Sequence, residues 1–142
     1  FDDKKRSICI LAATSILKIL LPDRQINEKI YREFDKMIDS LKSEIWIKNF
    51  IFWELSLIKE LGFEINFMHR ENNFIKTPEV IEVNNKSFKI PKMILDYQNN
   101  YISSIDIKEA LNFNKNLLIE NFITPNRLKL PFFRNILENY YS

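Results

Sequence analysis

Apolar residues recur at helical spacing near the start of the chain, and two helices follow from that pattern. Residues 6–21 are apolar on most sides, which predicts a buried helix that Pro22 ends. Residues 27–43 carry one apolar stripe and one charged face, so they predict an amphipathic helix with Asn27 as its N-cap. The predicted stripe is Ile30, Tyr31, Phe34, Ile38 and Leu41.

The next segment, residues 44–61, is the most hydrophobic of the chain. Its apolar side chains cover well over half of a helical circumference, which predicts the central helix of the domain. Gly62 follows at the position where a residue in the left-handed region closes a helix without steric cost. The apolar residues of this segment include Trp46, Ile47, Phe50, Ile51, Trp53, Leu57, Ile58 and Leu61.

The pattern changes over residues 63–92, where short apolar runs alternate with polar residues. Asn84 and Asn85 lie between two runs of β-prone residues, which predicts a hairpin turn. Pro91 ends this insertion, and residues 92–100 are predicted to hold one short helix.

Two further helices complete the pattern. Ser103 or Ser104 caps a predicted helix over 105–123, and Pro125 stops it. Pro131 is placed to begin the last helix, because proline is tolerated in a first helical turn. The predicted fold is mainly α: a helical bundle around a central hydrophobic helix, with a small antiparallel β insertion at about 63–92. The apolar stripe of the last helix is Phe132, Phe133, Ile136, Leu137, Tyr140 and Tyr141.

Composition limits the chemistry of this chain of 142 residues. It has one Cys, one His and one Gly, which excludes a disulfide scaffold, a multi-cysteine metal site and a glycine-rich phosphate loop. The formal net charge of +2 excludes a strongly basic nucleic-acid arm. With 46% hydrophobic residues, the chain can form a substantial core.

Covalent catalysis has weak candidates. Cys9 lies in an apolar run, where a thiol behaves as a small hydrophobe, and its one possible imidazole partner, His69, lies in a polar segment. A structural Cys9 and a solvated His69 are therefore favoured over a catalytic pair. Two carboxylate pairs are explained as a solvated helix face and a helix end: Asp35 with Asp39, and Glu60 with Glu64.

The strongest candidate for binding is a basic corner at the start of the last helix. Arg127, Lys129 and Arg134 lie there beside apolar residues, and a helix N-terminus adds partial positive charge. Such a corner suits phosphates or a peptide that carries carboxylates. The alternative is that Leu128–Phe133 only docks the last helix while the charges stay solvated.

No segment predicts a membrane span or a secretory signal. The longest apolar run, residues 8–21, contains Lys18 and is shorter than the roughly 18–20 apolar residues that a span needs. No small-residue cleavage site follows it. The unpaired Cys9 fits a reducing compartment, so we expect a cytoplasmic location. The chain begins with Phe1, which favours a fragment or a processed product.

Three short sequence motifs, which we call words, occur in order along the chain. Leu21–Pro22–Asp23–Arg24 follows the first helix, residues 53–63 read WELSLIKELGF, and Leu130–Pro131 with Arg134 begins the last helix. In order and spacing these words resemble the C-terminal region of the RecO family of bacterial DNA repair proteins, in its alphaproteobacterial form. The resemblance covers about residues 1–140.

This resemblance implies a recombination mediator of the RecF pathway rather than an enzyme. It implies a helical C-terminal domain, here residues 1–142, that follows an N-terminal oligonucleotide-binding (OB-fold) barrel, which this chain lacks. Family members bind single- and double-stranded DNA and single-strand-binding protein. They promote strand annealing and, together with RecR, the loading of RecA.

One departure from the family concerns metal. The family's zinc module normally has four cysteines in the segment that matches 63–92, and this segment has none. We therefore expect no metal and no cofactor. The insertion is expected to be held by a small apolar cluster of Phe67, Phe74, Ile75, Val80, Ile81 and Phe88.

The implied mechanism is docking. The acidic tail of single-strand-binding protein ends in an aromatic residue and a carboxylate, so it needs an apolar slot beside a basic rim. We expect the slot between the central and last helices, with Arg127, Lys129 or Arg134 as the rim. DNA binding by this chain alone is expected to be weak. The alternative function is a helical scaffold domain for protein interactions, without nucleic acid.

Overall fold

The computed structural model describes residues 3–21, 27–62 and 80–142. It confirms a mainly helical fold with one small antiparallel hairpin. The elements are α1 Lys4–Leu20, α2 Glu28–Ser40, α3 Trp46–Glu60, β1 Val80–Val83, β2 Lys86–Lys89, α4 Lys92–Leu95, α5 Ser104–Leu118 with a π-helical extension Ile119–Ile123, and α6 Phe132–Asn139.

Side chains next to the helix ends explain where α1 and α2 begin. The Asp3 carboxylate accepts a hydrogen bond from the Lys5 backbone N–H at 2.9 Å, which starts α1 earlier than predicted. Asn27 is the N-cap of α2, as predicted, and its Oδ1 accepts from the Ile30 N–H at 3.2 Å. Pro22 lies outside the described residues.

Helix α3 is the buried centre of the fold, as predicted. Phe50, Ile51 and Ile58 have no solvent exposure, and the helix packs against α2 and α5. Gly62 has a φ of +107°, a conformation that residues with a Cβ rarely adopt, so the predicted left-handed ending is confirmed.

The predicted hairpin is confirmed in its second half. Strands β1 and β2 pair antiparallel, with Val83 opposite Lys86. Asn84 and Asn85 have φ values of +52° and +65°. Two successive residues with positive φ are typical of the type I′ turn that connects the strands of a two-residue hairpin. The rest of the predicted insertion lies outside the described residues, including Phe67, Phe74 and Ile75.

The last helices differ from the prediction in detail. The short helix predicted over 92–100 is a single turn, Lys92–Leu95. Helix α5 begins one residue early because Ser103 and Asp106 cap its N-terminus reciprocally. Its last five residues, Ile119–Ile123, widen into a π-helical turn before Pro125.

Two predicted core residues lie at the surface instead. Tyr31 on α2 is 47% exposed and Phe132 on α6 is 70% exposed. Met37 fills the buried face of α2 that Tyr31 was predicted to share, and Leu137 is the fully buried apolar residue of α6. Helix α6 packs mainly against α1, so elements from both ends of the chain meet. None of the helices in the described ranges is long and apolar enough to span a membrane.

Candidate functional site

Arg134 does not line a solvent-facing rim, which corrects the sequence-based expectation. Its guanidinium is fully buried and binds the equally buried Glu54 carboxylate at two points, Nε to Oε2 at 2.6 Å and Nη2 to Oε1 at 3.0 Å. Nη2 also donates to the Leu111 carbonyl at 2.9 Å. The nearby carboxylates raise the pKa of Arg134 against the effect of its burial. Arg134 is therefore a structural residue that ties α6 to α3 and α5.

Two further polar side chains complete this buried cluster. Asn114 of α5 donates to Glu54 Oε1 at 3.1 Å and to the Ile51 carbonyl at 3.0 Å. Glu138 accepts from Arg134 Nη1 at 3.4 Å and from Lys115 Nζ at 2.7 Å. The cluster closes the interface between α3 and α6, where the sequence predicted an apolar slot.

The geometry explains two of the three sequence words. Residues 53–63 supply Glu54, and Leu130–Pro131 with Arg134 supplies its partner, so both words meet at one buried ion pair. Spacing along the chain could not reveal this contact, because Glu54 and Arg134 are 80 residues apart. The presence of a Glu within the most apolar helix was the available signal, since a buried charge needs a partner.

Arg127 and Lys129 lie where the basic corner was predicted. Both are exposed, and neither makes an ion pair or a side-chain hydrogen bond within the described part of the chain. Arg127 adopts a φ of +55°, and the Leu128 N–H donates to the Ile123 carbonyl at 2.9 Å, so the backbone turns sharply after the π-helical segment. The segment is thus shaped by its own backbone hydrogen bonds.

Apolar side chains accompany these two cations. Leu128 is 36% exposed and Phe132 is 70% exposed, while Leu130 is half-buried against the core. The Phe132 ring meets Phe133 edge to face, with 5.5 Å between their centroids. We call residues 127–132 the basic–apolar segment: two unpaired cations interleaved with exposed apolar side chains.

Cavities lie on other faces of the molecule. The larger, of about 500 Å³, lies between β2, α4 and α5. A smaller one, of about 210 Å³, lies between α2 and α3 beside Trp53. A slot for an apolar side chain is therefore available away from the α3–α6 interface.

Sequence reasoning also missed a buried lysine. Lys48 of α3 is 7% exposed, and its ammonium donates to the Tyr97 carbonyl, to the Asn99 carbonyl at 3.3 Å and to Asn100 Oδ1 at 2.8 Å. It therefore ties the loop before α5 to the central helix. The signal was a lysine within an apolar run, which requires acceptors if the helix is buried.

The candidate catalytic groups are not brought together within the described residues. Cys9 has no solvent exposure, and burial together with the Glu54 charge raises the pKa of its thiol, so the reactive thiolate is suppressed. His69 and Glu64 lie outside the described residues, Asp35 and Asp39 are exposed, and Glu60 pairs with Lys29 at 2.9 Å. No cluster of potential metal ligands occurs in the described ranges.

Comparison with known proteins places these observations in a family. The family model described as "Recombination protein O C terminal" matches residues 2–78, more than half of the chain. The DNA repair protein RecO of Wolbachia pipientis subsp. Culex pipiens (strain wPip) is 29% identical over an alignment that covers 100% of this chain and 67% of that protein. RecO of Ehrlichia chaffeensis is 27% identical, with 87% of this chain and 59% of the relative covered.

A third relative, RecO of Rhodospirillum centenum, is 26% identical over 46% of this chain and 26% of its own length. No solved structure gives a significant match. The chain thus spans about three fifths to two thirds of the first two relatives. The family match, the relatives and the order of the words at either end of the buried ion pair agree: the chain belongs to the family of recombination protein O, RecO, as a representative of its C-terminal region.

Proposed function

We propose that this chain is the helical domain of a DNA repair protein that acts as a recombination mediator of the RecF pathway. In this proposal it binds DNA and single-strand-binding protein, and it promotes strand annealing and RecA loading together with RecR. Family membership supports the general role. The domain works in the cytoplasm, and residues 1–142 act beside an OB-fold barrel of the kind that RecO proteins carry.

The observation that carries this proposal is the basic–apolar segment. Arg127 and Lys129 offer unpaired positive charge, and Leu128 and Phe132 offer apolar contact within a few residues. An acidic peptide that ends in an aromatic residue and a carboxylate needs these two features side by side. The segment therefore suits the tail of single-strand-binding protein, although Arg134 takes no part.

Docking, rather than catalysis, is favoured by the state of the one thiol. A nucleophilic cysteine needs exposure and a lowered pKa, whereas Cys9 is buried and the pKa of its thiol is raised. Binding without covalent chemistry requires only that the surface charges remain accessible, and Arg127 and Lys129 are.

A peptide-binding experiment tests the proposal. A fluorescent synthetic peptide with several Asp residues and a C-terminal Phe is titrated with the 142-residue chain. The variant R127A/K129A is expected to lose about five- to thirtyfold in affinity, since exposed charges contribute about 0.5–1 kcal/mol each. The matched control R32A/K42A removes an exposed Arg and an exposed Lys from the region of α2.

The control variant is expected to bind within about twofold of the unmodified chain, because its charges lie outside the segment. Equal losses of peptide affinity in both variants would show that only the net charge of the chain matters, and not the position of the charges. Unchanged peptide affinity in R127A/K129A would show that the basic–apolar segment does not bind the peptide.

DNA binding is tested separately with fluorescent single-stranded DNA at two salt concentrations. We expect weak binding that falls steeply with salt, because phosphate contacts release counterions and the net charge is only +2. Salt-insensitive nanomolar binding would contradict this expectation. A complete lack of DNA binding would favour the alternative of a helical scaffold for protein interactions.

A further inference from the structure

A groove of about 500 Å³ separates the hairpin and α4 from α5. We call it the hairpin groove. Its size falls within the range of pockets that hold small ligands or single building blocks of a polymer. Its apolar lining includes the half-buried Phe88 and Leu95 and the buried Phe113. The groove therefore contains enough apolar surface to contact a planar ring.

One wall of the hairpin groove is cationic. Lys89 comes from the last position of β2 and Lys92 from the first position of α4. Both are exposed, and neither forms an ion pair or a side-chain hydrogen bond within the described residues. Two free ammonium groups in the lining of one groove suit phosphate oxygens, because a lysine engages phosphate as a compact point charge.

The opposite wall carries neutral amides. Asn112 and Asn116 both line the groove from α5, one helical turn apart and so on the same face. An amide side chain both donates and accepts hydrogen bonds, which matches the mixed edge of a nucleobase. Glu109, one turn earlier on α5, places a negative charge on this wall and so disfavours phosphate there.

A clamp holds the hairpin against α5. Lys86 Nζ donates to Glu120 Oε1 at 2.8 Å, and Asn84 Nδ2 donates to the Glu120 carbonyl at 2.9 Å. Glu120 lies in the π-helical turn that continues α5, so the clamp joins the hairpin to this turn. The clamp thus joins the tip of the hairpin to the helix whose preceding turns line the other side of the groove.

The groove has the three kinds of surface that a nucleotide requires. Cations on one wall suit its phosphate, amides on the other suit the edge of its base, and the apolar surface between them suits the face of its base. We infer that the hairpin groove binds one nucleotide of single-stranded DNA, with its base between Phe88 and α5 and its phosphates at Lys89 and Lys92. This inference rests on the proposed DNA repair function, to which it adds a DNA-contacting site separate from the basic–apolar segment.

An acidic peptide is the competing ligand, and the amide wall argues against it. An acidic peptide tail with an apolar end gains from an apolar slot with a basic rim on all sides, whereas here one wall carries two amides and the negative charge of Glu109. Stacking of a base on Phe88 and hydrogen bonding of its edge to Asn112 use both walls.

The test uses a fluorescent fifteen-nucleotide oligothymidine and the 142-residue chain. The variant K89A/K92A is expected to lower the slope of log affinity against log salt by about 1.4, at roughly 0.7 for each phosphate contact. The control K18A/K42A removes the same charge from exposed lysines outside the groove and is expected to leave that slope unchanged. Asn112→Ala is expected to weaken binding about fivefold or more without changing the salt slope.

Photocrosslinking identifies which residues of the chain contact the DNA. An oligonucleotide with 5-iododeoxyuridine is expected to crosslink within residues 86–95 of the intact chain and to lose that crosslink in K89A/K92A. Crosslinks confined to other peptides, or equal slopes in the two double variants, would overturn the groove while leaving DNA binding by the chain intact. Binding of the acidic peptide, rather than DNA, that depends on Lys89 and Lys92 would also overturn it.

The two proposals fail separately. Loss of peptide affinity in R127A/K129A with unchanged DNA binding supports the basic–apolar segment and says nothing against the groove. DNA binding that depends on Lys89 and Lys92, in a chain that does not bind the peptide, supports the groove and contradicts the peptide part of the proposed function.

Discussion

At the scale of single residues, the buried pair of Glu54 and Arg134 carries a large cost in hydration free energy. Two charges without solvent exposure lose their hydration, and only good geometry and added hydrogen bonds offset that loss. Asn114 and the Leu111 carbonyl provide those extra bonds. Removal of Arg134 therefore leaves the Glu54 charge uncompensated in the core, and removal of Glu54 leaves Arg134 only the longer contact with Glu138, so either single loss is worse than removal of both.

We predict that Glu54→Leu and Arg134→Leu each lower the free energy of unfolding by about 3–5 kcal/mol. The double variant E54L/R134L is expected to be more stable than either single variant, because neither charge is then left alone. Urea unfolding of the four proteins measures these differences. A double variant as unstable as the sum of both single variants would show that the pair does not act as a unit.

At the scale of elements, helix ends were more predictable than helix contacts. Asn27, Gly62 and the Asn84–Asn85 turn were read correctly because each acts through its own backbone neighbours. Arg134 was misplaced because a basic residue near a helix start looks solvated until its partner is known. For the same reason, the interface expected to hold the apolar slot is occupied by this ion pair, since packing between distant elements decides which interface stays open.

The hairpin clamp depends on the charge of Glu120. Hydrogen bonding from Lys86 lowers the pKa of this carboxyl below its ordinary value of 4.5, with burial opposing the shift. A lowered pKa in the folded state means that the clamp stabilises the hairpin above the ordinary pKa and is lost as the pH falls through the folded-state pKa.

We therefore predict that the amide signals of Val83 to Lys86 shift on acidification below about pH 4.5, as Glu120 is protonated. NMR titration of the hairpin amides measures this. In the Glu120→Gln variant the shift of these signals in that range is expected to be markedly smaller, with only the neighbouring Glu82 carboxylate left on the hairpin. Identical titrations in both proteins would mean that another carboxylate controls the hairpin.

At the scale of the whole molecule, the last helix completes the core. Helix α6 covers α1, contributes the fully buried Leu137 and supplies the guanidinium for Glu54. Cys9 has no solvent exposure on α1, the helix that α6 covers, and burial raises the pKa of Tyr141, just after α6, to about 12. Cys9 can therefore report whether α6 is in place.

A chain that ends at Leu130 is expected to lose its cooperative thermal unfolding transition, because Glu54 stays unpaired and the α1 surface is uncovered. Its single thiol is expected to react readily with a thiol reagent, whereas the intact chain reacts only on unfolding. A chain that ends at Tyr141 keeps all of α6 and the tyrosine that packs beside it, and serves as the control. Protection of Cys9 in the shorter chain would show that α6 is dispensable.

The distance along the chain between Glu54 and Arg134 has a consequence during synthesis. The carboxylate leaves the ribosome 80 residues ahead of its partner, so the growing polypeptide cannot bury it favourably until Arg134 has also emerged. The helices made first must wait in a looser assembly. Their final packing is thus postponed until the segment that holds Arg134 has been translated, which makes the nascent state the stage most exposed to chaperones and proteases.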